Sequence, residues 1–82
     1  FVKVLGNPSA QPLLQFGKNI TGDVQLRLMN SMGQIVWEKR LSNVAAGELQ
    51  AVDMNGMAKG VYTIMITSKE GVATKKVVRS PL

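Results

Sequence analysis

Hydrophobic and polar residues alternate along most of this chain with a period of two. In Val24-Gln25-Leu26-Arg27-Leu28-Met29, Val24, Leu26 and Leu28 share one face while Gln25 and Arg27 share the other, as in a strand with one buried side. The longest β-type run is residues 61–67, with faces Tyr62/Ile64/Ile66 and Val61/Thr63/Met65. Gly60 delivers the chain into it, where a side chain would restrict the backbone. Ser68-Lys69-Glu70-Gly71 then turns into a last strand over residues 72–78, with Gly71 at a left-handed corner. These two strands are expected at the centre of the fold, with the functional surface on the later one.

The other elements follow the same logic. Residues 1–5 read as a strand stopped by Gly6-Asn7-Pro8, where proline fixes its own φ and pushes Asn7 toward extended geometry. Residues 12–16 form a short strand, and its opening Pro12 predicts an edge position. Residues 17–23 read as a polar loop; the Asn19-Ile20-Thr21 triplet inside it is a chance sequon. Asn30-Ser31-Met32-Gly33 predicts a tight turn, with asparagine bonding its own backbone and Gly33 left-handed. A returning strand over residues 34–41 sets Ile35 and Trp37 in competition with Val36 for the core, with Trp37 at least partly buried. A turn over 42–47, a fifth strand over 48–53, at most one helical turn over 54–59 and a frayed tail over 79–82 complete the chain. Seven short strands between turn signals predict an all-β fold, a seven-stranded antiparallel immunoglobulin-like β-sandwich.

Composition narrows the function. A chain of 82 residues makes one domain, burying about 60–65% of its unfolded surface. The net charge of +5 could suit an anionic partner. Its cations are scattered, however, apart from Lys69, Lys75, Lys76 and Arg79, and four aromatics are too few for both a core and a base-stacking platform. Nucleic acid is therefore not an expected partner, and no apolar stretch is long enough for membrane insertion.

Histidine and cysteine are absent, which removes imidazole-assisted and thiol chemistry and most transition-metal sites. The five carboxylates, Asp23, Glu38, Glu48, Asp53 and Glu70, are dispersed. The chain is expected to be non-enzymatic, with no metal and no cofactor. Glycines 33, 47, 60 and 71 read as turn residues, and the five methionines as fillers of the core or of gaps in turns. Lys75-Lys76 is the unusual pair: adjacent residues of a strand face opposite ways, so one lysine points inward unless the strand lies at an edge.

In order and spacing these landmarks resemble the type A C-terminal sorting domain of the Bacteroidetes type IX (Por) secretion system. Gly6-Asn7-Pro8 is similar to the family's opening Pro-Asn-Pro, with glycine in place of the first proline. The strand before Asn30 and the following Ser31-Met32-Gly33-Gln34-Ile35-Val36 resemble its "D-x-x-G-r-x-V" turn, with Asn30 in place of aspartate. Ala46-Gly47 and residues 52–57 resemble its "a-G…i-d-l-s-x-L" approach. Gly60-Val61-Tyr62-Thr63-Ile64 is similar to "G-v-Y-f-v", and Lys75-Lys76-Val77-Val78 to the terminal "K-K-i-v".

The resemblance implies an address label at the end of a larger exported protein, whose N-terminal cargo domain lies in the same parent chain. The label would be recognised by the outer-membrane translocon and often removed by a sortase-like protease, with cleavage upstream of or near Phe1, leaving the cargo at the cell surface or in the medium. It implies recognition through Lys75, Lys76, Val77 and Val78, and a scaffold kept in shape by Asn7, Pro8, Gly33, Gly60 and Tyr62. An edge strand could also pair two copies as a dimer. Two other readings are open: an accessory adhesion or carbohydrate-binding module, with Trp37 stacking on a sugar, and a structural spacer beside a catalytic domain.

Overall fold

The computed structural model describes residues 1–6 and 11–79. Its two most regular alternating segments, β3 (Ile20–Met29) and β6 (Gly60–Ser68), lie side by side in the middle of a four-stranded antiparallel sheet. The order is β4-β3-β6-β7, with β4 (Ile35–Val44) and β7 (Gly71–Arg79) at the two edges. A second sheet, β1-β2-β5, is built from β1 (Val2–Leu5), β2 (Leu13–Phe16) and β5 (Leu49–Ala51). The fold is therefore the expected all-β, two-sheet antiparallel sandwich of seven strands. The fourth strand pairs with the third rather than joining the first sheet, because the tight turn between them returns the chain onto its neighbour.

The core lies between the sheets. Leu26 faces Ile66 and Leu28 faces Ile64 across the β3–β6 pair, and all four are fully buried. Leu14 and Phe16 of β2 and Val2 of β1 cover them from the other sheet, while Val52, Met54, Tyr62 and Val77 close the sides. Each large apolar side chain buried in this way is worth about 1.5–3 kcal/mol.

Four expectations are corrected. Of β6 and β7, both expected at the centre, only β6 is central, because a strand with Lys75 on its inner face can keep that ammonium in water only at an edge, where β7 lies. β2, expected at an edge, is the middle strand of its sheet: Pro12 sits just ahead of it, needs no donor there, and its carbonyl accepts from the Val52 N–H at 2.9 Å. Of the polar stretch before Val24, residues 17–19 connect β2 to β3 as expected, but residues 20–23 are strand rather than loop. β3 starts at Ile20 and β4 runs on to Val44, so that these two buried residues pair. A bulge between Ile20 and Asp23 absorbs the polar residues, with Gly22 at φ 85° and Asn43 at φ 53°, and the Gly22 N–H bonds Asn43 Oδ1 at 2.8 Å. Finally, β7 continues through Arg79, which is not part of a frayed tail; residues 80–82 lie outside the described residues.

A second register shift settles the Trp37 question. Trp37 pairs with Leu28 on the inner face, whereas Ile35 pairs with Met29 on the outer one, since Val36 is the extra residue of a bulge. Trp37 is half-buried against the core, and Ile35 is exposed. Among the methionines, Met54 is fully buried and Met57 packs on the core. Met32 is the exception: it lies in the β3–β4 turn and is 80% exposed. Met54 to Lys59 contains no helical turn, only a β-turn closed by Met57 N–H to Met54 O at 3.1 Å.

Candidate recognition edge on the seventh strand

β7 pairs with β6 along its whole length, from Ser68 opposite Gly71 to Gly60 opposite Arg79. The hairpin forms because Lys69 and Glu70 make a two-residue loop, held by the Glu70 N–H on Ser68 Oγ at 3.0 Å, and because Gly71 takes φ 124°. The period-two backbone then divides the expected segment Lys75-Lys76-Val77-Val78 between two faces. Val77 lies opposite Tyr62 and is fully buried. Lys75 lies opposite Ile64 on the same inner face, but at the sheet edge it is only half-buried, so its stem packs while its ammonium reaches solvent. Lys76 and Val78 lie on the outer face opposite Thr63 and Val61, and both are exposed, as is Val61. Thr63, Thr74, Lys75 and Lys76 line an open depression of about 370 Å³. The four residues are contiguous in sequence but serve two faces.

The corner that carries the chain into β6 fixes where β7 sits. Gly60 has φ 149° and opens the strand. The Tyr62 hydroxyl reaches back to donate to the Ala58 carbonyl at 2.5 Å, and its ring is buried. This is the tyrosine-corner arrangement of immunoglobulin-like sandwiches, in which a tyrosine at the start of the sixth strand ties down the preceding turn. The far end of β7 is clasped to the same corner, because Arg79 Nε donates to the Met54 carbonyl at 3.3 Å. Neither bond ends on a side-chain acceptor, so sequence pairing could not reveal them. The available signals were a tyrosine two residues into a strand and an arginine in phase with Val77.

Gly33, in the other predicted scaffold element, has φ 81°, and its N–H bonds the Asn30 carbonyl at 3.0 Å. Asn30 Oδ1 accepts from Met32 N–H at 2.9 Å and Gln34 N–H at 3.0 Å. Asn7 and Pro8 lie outside the described residues. At the opposite end of β7, Lys18 Nζ and Glu70 Oε1 meet at 2.7 Å and tie the β2–β3 connection to the β6–β7 turn. The Lys18 hydrogen bond and charge, helped by Lys69, hold the Glu70 carboxyl below its ordinary range.

Four of the five carboxylates, Glu70 among them, are committed to local structure rather than gathered. Glu38 faces Arg27 at 3.3 Å, Glu48 accepts from Ala45 N–H at 3.0 Å, and Asp53 accepts from Asn55 N–H at 3.0 Å. Among the described residues, no three acidic groups converge in a way that could hold a metal ion.

The family model described as secretion system C-terminal sorting domain matches residues 4–80, from within β1 to just past β7. No curated protein matches the chain. Such a domain is the C-terminal sorting signal of the type IX secretion system and is generally non-catalytic. It acts with the secretion machinery on a cargo in the same chain, exporting it through the outer membrane to the cell surface or medium. With the match covering nearly its whole length, the chain belongs to the secretion system C-terminal sorting domain family.

Proposed function

We propose that the translocon reads this domain along β7, with Lys75, Lys76, Val77 and Val78 as the recognition segment in two roles. Lys76 and Val78 present charge and apolar surface to the partner. Val77 and the stem of Lys75 hold the strand against the sheet so that the other two stay in register. The observation that carries this reading is the position of β7 at the end of its sheet, with Lys76 and Val78 exposed on one face. A sheet edge suits recognition by an added extended segment, whose main chain supplies affinity and whose side-chain pockets supply specificity.

Gly33, Gly60 and Tyr62, together with Asn7 and Pro8, act as the scaffold that sets this edge. Residues 1–82 form a single sorting domain of a larger secreted protein, and a sortase-like protease removes it from its cargo. The domain has no catalytic role of its own; a chain without histidine or cysteine, with its acids dispersed, supports that assignment. The same edge can pair two copies when no translocon is present.

The test is a fusion of residues 1–82 to a periplasmically exported reporter in a Bacteroidetes host. Deletion of residues 75–82, and separately the double substitution Lys76→Glu with Val78→Asp, should leave the reporter in the periplasm. Surface delivery by the double variant at the level of the intact fusion would overturn the assignment of the segment.

A further inference from the structure

We propose that Asn55-Gly56 is a self-modifying site, where the asparagine amide is lost spontaneously through a succinimide. The four described asparagines differ in what holds them. Asn19 Oδ1 accepts from Ala46 N–H at 2.8 Å, Asn43 Oδ1 accepts from Gly22 N–H at 2.8 Å, and Asn30 is held by Met32, Gln34 and its own Nδ2 bond to Gln34 Oε1 at 2.9 Å. Their amides are pinned, and isoleucine, valine and serine follow them. Asn55 is exposed, its side chain makes no hydrogen bond among the described residues, and glycine follows it.

Gly56 has no Cβ to crowd its nitrogen, and apart from its chain neighbours Asn55 and Met57 no described residue comes within 4 Å of where a Cβ would stand. Its N–H donates to no described acceptor. Gly56 has φ 82° in a β-turn closed by the single Met57 N–H to Met54 O bond, so little must open for the ring to form.

The step balances without any bound cofactor. The Gly56 amide nitrogen gives its proton to solvent and bonds Asn55 Cγ; the Cγ–Nδ2 bond breaks and ammonia leaves. Water then opens the ring at either carbonyl, giving aspartate or isoaspartate at position 55. The new carboxylate lies beside Asp53, whose Oδ1 accepts the Asn55 N–H, and removes one unit from the net charge of +5. Isoaspartate also adds a methylene to the main chain between the buried Met54 and the core-packed Met57. Since Arg79 and Tyr62 both bond this corner, the isomer loosens the clasp on the end of β7. Loss of the amide is covalent chemistry of the chain alone, so the site does not depend on the translocon reading.

The experiment incubates the 82-residue chain at mildly alkaline pH and follows each asparagine by peptide mapping, with chromatographic separation of the aspartyl and isoaspartyl forms. Loss of amide is expected at Asn55 while Asn19, Asn30 and Asn43 keep theirs, ammonia release should stop in Asn55→Gln, and the purified isoaspartyl form should melt below the aspartyl form. Survival of the Asn55 amide for as long as the three pinned ones, or undiminished ammonia release from Asn55→Gln, would overturn the proposal.

Discussion

β6 and β7 are neighbours in one hairpin and begin alike, Gly60-Val61 and Gly71-Val72, yet they meet opposite fates. The inner face of β6 is Tyr62, Ile64 and Ile66, and all three are buried. The inner face of β7 is Ala73, Lys75 and Val77, and only Val77 is fully buried. A charged residue in the middle of an inward row keeps a strand at the rim of a sheet; an apolar one lets it be covered from both sides. Stability is therefore concentrated in β6, and accessible, basic surface in β7.

The largest effect should come from cutting the inner row of β6. Ile64→Ala is expected to cost about 2–5 kcal/mol in urea denaturation, whereas Lys75→Ala directly opposite it, which loses only partly packed methylenes, should cost less than about 1 kcal/mol. Equal losses at the two positions would erase the distinction between the strands. Val77→Ala falls between them at roughly 2 kcal/mol, two buried carbons lost from the one anchored position of β7. Tyr62→Phe removes the hydroxyl bond to Ala58 while keeping the ring, and should lower stability by about 1 kcal/mol.

The smallest effect is electrostatic. Lys18 holds the Glu70 carboxyl below its ordinary 4.5, so the bridge contributes above that value and its contribution fades as pH falls through the lowered one. Lys18→Ala should remove that part of the acid dependence of the melting temperature and leave it unchanged at neutral pH apart from the small loss of the bridge itself.

The hairpin of β6 and β7 was legible because local signals agreed: strict alternation, a polar two-residue loop and a glycine at the corner. The start of β3 was not, because Thr21-Gly22-Asp23 carries no apolar alternation and is strand only by virtue of the bulge shared with Asn43. Pro12 suggested an edge because its missing donor was assigned to the strand, whereas the residue stands one position before it. Lys75-Lys76 did signal an edge, but the apolar residues around the pair suggested the centre; sheet order is a tertiary property that alternation cannot carry. The bonds of Tyr62 and Arg79 end on main-chain carbonyls, which every residue offers, so the positions of the two donors were the sole signals and their acceptors went unmarked. The candidate recognition residues themselves were legible as a run; their division between an anchoring and a presenting face needed the register.

The most direct test sets the two edges of the four-stranded sheet against each other. Lys76→Glu on β7 and Lys39→Glu on β4 each reverse one exposed charge on an edge strand and should change stability by no more than about 0.5 kcal/mol. With both variants fused to the same exported reporter, surface delivery should fall for Lys76→Glu and stay at the wild-type level for Lys39→Glu. Equal delivery by the two variants, with their melting temperatures matched, would contradict the assignment of recognition to β7.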